Sequence, residues 1–383
     1  MLVLILVACI YPNILLAQNS WDASAFKGWT TESIIIEGLD KQTASELKKG
    51  LELALPAGFL KTRRPTFFPQ TLDNDLKRSL LFLARRGYPY ATITPRFIPT
   101  PHSKQVALIL EVNRGPAVRI STLSVVGVPN NLENIAPEAL LIKSDSVFFD
   151  KDLQQSETAL ISLLSSNGYA RAKVSSELEW EDSTRIAIRL NTLPGMMYYF
   201  GEVIVSGAPE DLIPLIKKVV TARRGILYNP EVLADSQKNL RLLDLFKRIR
   251  VGVQDGAADS LDVLVDVTMR EPHRLETALR YWTDEQLDGS IWWKHRNLFK
   301  RGRGGSALAS ASFIQQKLEF SAWWPAILMA RSRGTLTLGI ENEIEESYEL
   351  LSIGGSIGLN YDFSLQTRAR IALIFSNIDI TNK

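Results

Sequence analysis

The chain has 383 residues, 45% apolar and 22% charged, with 44 Lys+Arg against 42 Asp+Glu. That length exceeds one compact core and calls for roughly two to four units of ordinary domain size. The balanced charge excludes a disordered tail and a strongly basic nucleic-acid binder, while one cysteine (Cys9) and three scattered histidines (His102, His273, His295) exclude internal disulfides and a Cys/His zinc site.

Leu2 to Ala17 is an apolar run interrupted by Tyr11, Pro12 and Asn13, and polar Asn19 to Asp22 follow it. It falls short of the roughly 20 apolar residues that span a membrane, and Pro12 would break such a helix. Residues 1–18 therefore read as a secretory signal cleaved near Ala17. No Lys or Arg precedes Lys27, which leaves open a start further upstream, and Leu6-Val7-Ala8-Cys9 has the form of a lipoprotein cleavage box. No later stretch reaches 18 consecutive apolar residues. Any further membrane passage must then use strands closed into a barrel.

A unit recurs three times before residue 273. Ser33-Ile34-Ile35-Ile36-Glu37-Gly38 returns as Ser124-Val125-Val126-Gly127 and as Val203-Ile204-Val205-Ser206-Gly207, with the glycines 89 and 80 residues apart. Two helical patterns follow each glycine. Leu72, Leu76, Leu80 and Leu83 make one apolar stripe, ended at Arg86-Gly87-Tyr88-Pro89. Leu153, Leu160, Leu163 and Leu164 lead to Asn167-Gly168-Tyr169, and Leu233, Leu240, Leu243 and Leu245 lead to Phe246-Lys247-Arg248. Two strands close each unit: Ala91 to Ile98 with Val106 to Val112, Ala172 to Trp180 with Arg185 to Leu190, and Arg250 to Gln254 with Leu261 to Val267. The order strand-helix-helix-strand-strand predicts an α+β sandwich of a small sheet and a helix pair. It resembles the polypeptide-transport-associated (POTRA) domain, whose helix-to-strand step often reads Gly-Tyr. Arg86-Gly87-Tyr88 and Asn167-Gly168-Tyr169 match that step, and the third unit is identified by order and position. The expected domains are 30–115, 116–196 and 197–272.

Past Glu271-Pro272 period-two alternation takes over. His273, Leu275, Thr277, Leu279 and Tyr281 fall on one side and Arg274, Glu276 and Arg280 on the other; similar segments recur to the chain end, about seven strands in all. Their length and the placing of Trp282, Trp292, Trp293, Trp323 and Trp324 near strand ends predict membrane-crossing strands with an aromatic girdle. A soluble β-sandwich, which also alternates, is the rival.

Asn297-Leu298-Phe299-Lys300-Arg301-Gly302-Arg303-Gly304 is similar to the Asn-Leu-Phe-Gly-x-Gly turn early in the barrel of the BamA/TamA outer-membrane assembly-factor family, with Lys300 and Arg301 where that family has one glycine. With three POTRA-like units before it, the chain resembles a TamA-like member. The fold class expected is α+β: three tandem POTRA-like β-α-α-β-β domains, then residues 273–383 as the N-terminal part of an outer-membrane barrel. Fewer than half of that family's barrel strands fit after residue 273. The sequence thus reads as part of a longer protein or as an early-stopped product.

The resemblance implies a cell outer-membrane protein with periplasmic N-terminal domains, assembling or inserting outer-membrane proteins or translocating secreted ones. It implies strand addition at POTRA edges, here Ala91, Thr92, Ile93 and Thr94, then Ala172, Lys173, Val174 and Ser175, then Arg250, Val251, Gly252 and Val253. Leu275, Thr277, Leu279 and Tyr281 would mark the first barrel strand, the family's lateral gate, and Asn297, Leu298, Phe299, Gly302 and Gly304 the barrel turn. Expected partners are unfolded outer-membrane or secreted polypeptides, the lipid bilayer and a periplasm-spanning inner-membrane protein, with no nucleic acid. No cofactor and no catalysis are expected: Gly-Lys-Ser/Thr and His-Glu-x-x-His motifs do not occur. The rival function is a soluble periplasmic scaffold built on the three repeats.

Overall fold

The structure, a computed structural model, describes residues 23–54, 64–282, 286–345 and 347–382. The expected signal at 1–18, with Cys9, lies outside these residues. The chain divides into two compact units, 1–160 with 174–192 and 161–173 with 193–383. The first repeat and most of the second fall in one; the third repeat and the C-terminal sheet fall in the other.

The first repeat runs β1 (Thr30–Glu37), α1 (Lys41–Lys49), α2 (Pro69–Ala84), β2 (Thr92–Thr100) and β3 (Gln105–Asn113). The second has β4 (Arg119–Val126), a 3-10 turn at Ala136–Ala139, α3 (Asp150–Ser166), β5 (Lys173–Trp180) and β6 (Arg185–Leu193). The third has β7 (Tyr199–Ser206), a 3-10 turn at Glu210–Leu212, α4 (Ile213–Val219), α5 (Pro230–Leu242), β8 (Phe246–Asp255) and β9 (Ser260–Met269). The helix expected early in the second repeat is thus a single 3-10 turn. Asn130, Asn131 and Asn134 are of a type that favours turns over helix interiors, and Pro137 lacks the N–H a longer helix would use.

The three sheets share one topology, with the last strand central: β1-β3-β2, β4-β6-β5 and β7-β9-β8. The first strand pairs parallel to the centre in each repeat. That arrangement explains the three glycines. Gly38, Gly127 and Gly207 have φ of +85°, +82° and +76°, and a Cβ there would lie 1.9, 2.3 and 2.0 Å from the carbonyl oxygens of Val112, Thr192 and Val267. Only glycine lets the chain leave the first strand against the end of the central one.

The leucine stripes become cores: Leu72, Leu83, Leu153, Leu160, Leu164 and Leu240 are all buried. A polar position repeats among them. Asp75, Ser156 and Ser236 each lie six residues after the first helical residue, Pro69, Asp150 or Pro230. Asp75 accepts from Glu52 N and Leu53 N at 2.9 Å each, Ser156 from Leu141 N and Ile142 N at 3.0 and 3.3 Å, and Ser236 from Thr221 N and Ala222 N at the same two distances. Each satisfies two backbone donors that the connecting segment would otherwise bury unpaired.

The C-terminal sheet is a meander of seven antiparallel strands: β10 (His273–Trp282), β11 (Gln286–His295), β12 (Gly304–Ala311), β13 (Gln315–Pro325), β14 (Ser332–Ile344), β15 (Tyr348–Asp362) and β16 (Arg368–Asn382). Its register gathers the apolar residues. Leu318 opposes Ile340, which opposes Ile353; Phe320 opposes Leu338; and Leu336 opposes Ile357, which opposes Leu373. Ile291 joins this face through Ala309, which opposes Leu318, and Leu279 lies on it too; Leu279, Ile291, Phe320, Ile353, Ile357 and Leu373 are exposed. The other face carries Arg280 paired with Asp288, Lys317 with Glu319 and Glu341, and Ser321 with Thr337. No helix among the described residues is long and apolar enough to cross a membrane, which says nothing of strands.

Candidate polypeptide-binding edges and the sheet joint

Each repeat sheet has two edges. The edge at β1, β4 and β7 is crossed near its start by the segment preceding the long helix, through the isolated bridges Thr30–Thr66, Arg119–Val147 and Tyr199–Leu227. The opposite edge is β2, β5 and β8, where the sequence-predicted binding residues fall. Thr92, Ile93 and Thr94 open β2; Lys173, Val174 and Ser175 open β5; Arg250, Val251, Gly252 and Val253 lie inside β8. Ala91 and Ala172 each stand one residue before their strand. Their N–H groups close the preceding turn onto Tyr88 O and Tyr169 O, at 3.3 and 3.1 Å, so they offer no edge donor.

The Gly-Tyr steps make joints between repeats. Gly87 (φ +85°) accepts Val118 N through its carbonyl at 2.7 Å, and a Cβ there would meet Phe148 O at 2.5 Å. Gly168 accepts Tyr198 N at 2.8 Å, and its Cβ would meet Leu227 Cδ1 at 2.6 Å. Beside the first joint Arg86 pairs with Glu46 and lies over the rings of Phe82 and Phe149.

In the third repeat the counterpart is Asp244-Leu245 rather than the expected Phe246-Lys247-Arg248. Asp244 has φ of 57°, the same left-handed bend, before β8 begins at Phe246. Aspartate tolerates that region better than most residues. It also brings a carboxylate to the sheet. Lys294 Nζ donates to Asp244 Oδ2 at 2.9 Å, Arg270 pairs with Oδ1, and Arg296 Nε lies 3.4 Å from Oδ2 without hydrogen-bond geometry. Burial alone would raise the Asp244 carboxyl, but the Lys294 hydrogen bond and the three positive charges hold it below the ordinary carboxylate value.

More contacts complete this joint. Arg331 donates to Asn239 Oδ1 and Asp235 Oδ1, both at 2.8 Å, and Arg333 donates to Leu242 O at 2.6 Å. Ala326, 2% exposed in the β13–β14 turn, belongs to the third repeat's own core. The predicted barrel turn is here as well. Asn297 Oδ1 accepts Gly302 N at 2.7 Å, and Arg301 N donates to Asp211 Oδ2 at 3.1 Å. Lys300 and Arg301 (φ 55° and 54°) take the left-handed bends that a glycine would take without strain. A Cβ on Gly302 would sit 2.4 Å from Leu215 Cδ2, and one on Gly304 2.1 Å from the Trp323 ring. Leu298 and Phe299 stay exposed.

Leu275, Thr277, Leu279 and Tyr281 alternate along β10, an edge of the seven-stranded sheet, and all are exposed. Of the expected aromatic girdle, Trp292, Trp293, Trp323 and Trp324 lie at the strand ends nearest the 296–303 turn. Among the described residues no group of three or more His, Cys, Asp or Glu is placed to hold a metal ion.

No family model matches the sequence. The outer membrane protein assembly factor BamA of Neorickettsia risticii (strain Illinois) is 20% identical over 197 residues, 51% of this chain and 26% of that protein. A crystal structure of BamA from Haemophilus ducreyi lacking POTRA domains 1–3 superposes with a TM-score of 0.60 at 14% identity, over 69% of this chain and 52% of that one. In fold the chain is similar to BamA. CdiB from Acinetobacter baumannii aligns over 70% of this chain and 55% of its own, at 12% identity and a TM-score of 0.43. The chain spans about a quarter of the curated relative and about half of the Haemophilus ducreyi structure. The fold shared over that 69% of the chain is one of POTRA-like α+β units and a C-terminal antiparallel sheet.

Proposed function

We propose that this chain serves in the assembly or insertion of outer-membrane proteins or the translocation of secreted ones, by pairing backbones rather than by bond-making. The sheet sits in the outer membrane and the repeats in the periplasm. Incoming polypeptide strands add to the repeat edges, where main-chain hydrogen bonds give grip with little demand on sequence. The β10 edge, with Leu275, Thr277, Leu279 and Tyr281, then offers those strands a template. The observation that carries this reading is the apolar face running in register through all seven strands. Left in water, such a face is an aggregation surface; against lipid it is solvated.

The test is extraction. Expressed with its natural membrane fraction, the chain should stay with the membranes in sodium carbonate and in urea, and should lose that resistance when Leu338, Ile340, Ile353 and Ile357 are all changed to Asp. Release of the unaltered chain by carbonate would instead place it as a soluble scaffold.

A further inference from the structure

The three edges are not equivalent, and we propose that strand capture belongs to β5 of the second repeat, with β2 of the first closed by Pro95 and Pro99. This rests on the strand-pairing reading above. In an antiparallel pair every second residue turns its N–H and C=O away from its neighbour. Proline has no N–H, so β2 keeps its ladder with β3 only if Pro95 and Pro99 stand at the outward positions. Ile93 and Phe97 share that parity and pack toward the first repeat's core. Two of the four outward sites on β2 therefore lack a donor, and each pyrrolidine ring occupies the space of an incoming backbone.

The third repeat has the parity fixed by its turn. Gly256 N donates to Ser260 O at 3.0 Å, in register with the Gln254–Asp262 pair, so Ile249, Val251 and Val253 are outward. Gln237 Nε2 of α5 already donates to Ile249 O at 3.0 Å, filling one outward acceptor. In the second repeat Glu181 N donates to Arg185 O at 3.1 Å in the same way, which makes Val174, Ser176, Leu178 and Trp180 outward. No proline interrupts β5, and among the described residues no side-chain hydrogen bond ends on its backbone.

The same geometry defines the occupant. A strand added to β5 repeats its period of two. Its inward residues extend the half-buried row of Val174 and Leu178, while its outward residues lie beside exposed Glu177 and Glu179. An extended segment alternating apolar with basic residues fits both rows.

The experiment uses the full chain in detergent micelles with a photo-crosslinking amino acid at Arg96, Ser175 or Arg250, and as probe a synthetic nonapeptide of alternating valine and lysine. Crosslinking at Ser175 should exceed that at Arg96 at least tenfold. Pro95→Val/Pro99→Val should raise the Arg96 yield to the Ser175 level. Ser176→Pro, which removes an outward N–H, should abolish the Ser175 crosslink with the circular dichroism unchanged. Equal yields at Arg96 and Ser175, or no rise on replacing the prolines, overturn the assignment to β5 while leaving strand pairing intact. No crosslink at any of the three edges overturns both.

Discussion

Replacing Asp244 with asparagine keeps the shape and the tolerance of a left-handed backbone but removes the charge that joins the third repeat to the sheet. The Lys294 and Arg270 contacts are partly open to solvent, and each contributes about 0.5 kcal/mol after screening. Arg296, 6% exposed, would be left buried without an opposite charge. That costs about 1 kcal/mol, the low end for such a group, because its Nη1 still donates to Glu271 O at 2.7 Å. The joint should lose about 2 kcal/mol, which corresponds to about 30-fold more frequent opening. Hydrogen exchange at the Arg296 and Gly302 amides, bonded to Pro272 O and Asn297 Oδ1, reads this directly. Asp244→Gly loses the same charges but relieves about 1 kcal/mol of left-handed strain, so its protection should fall only about fivefold. Protection unchanged in Asp244→Asn, or lower in the glycine variant than in the asparagine one, would refute the clamp.

Gly302→Ala forces a Cβ within 2.4 Å of Leu215 Cδ2 at a φ of +75°, and should destabilise the third repeat by about 3 kcal/mol in thermal unfolding followed by near-ultraviolet circular dichroism. Asp75→Ala strips the buried acceptor from Glu52 N and Leu53 N and should cost about 2 kcal/mol in urea unfolding of the first repeat; a change below 0.5 kcal/mol would contradict its role as an internal cap. Because the folded Asp244 carboxyl titrates below its unfolded value, its contribution is complete above roughly pH 4 and is lost as pH falls through the lower folded value. The urea midpoint of the third repeat should therefore be level between pH 7 and pH 5 apart from other groups, and Asp244→Asn should flatten the decline seen toward pH 3.

Much of this architecture can be read from residue pattern, for identifiable reasons. Gly38, Gly127 and Gly207 announce the repeat because one backbone collision recurs at all three sites. The alternation after Pro272 announces the sheet because an apolar face in register leaves a strict period of two. Other features escape for equally physical reasons. The first helix of the second repeat is lost to the low helix propensity of three asparagines and to Pro137, which periodicity does not weigh. Asp244 hides because a carboxylate performs a bend expected of glycine; its place two residues past the end of the long helix, as for Gly168, would have been the signal. Asp75, Ser156 and Ser236 hide among leucines, since a polar residue within an apolar stripe looks like noise until the capped amides are seen. Pro95 and Pro99 were in plain view. Their meaning depends on which way each amide turns, and only the strand register settles that.

The joints at Gly87 and Gly168 are closed by a carbonyl and an amide, groups that every repeat owns whatever its side chains. Links made this way can be cut and respliced: exchanging the first repeat for another of its kind asks for a glycine and a neighbouring N–H and little else. The last link is keyed instead. Asp244 fits one constellation of lysine and arginines on one sheet, so a foreign third repeat would arrive without its key. Divergence along such a lineage should accordingly run fast at the first joint and slowly at the keyed one.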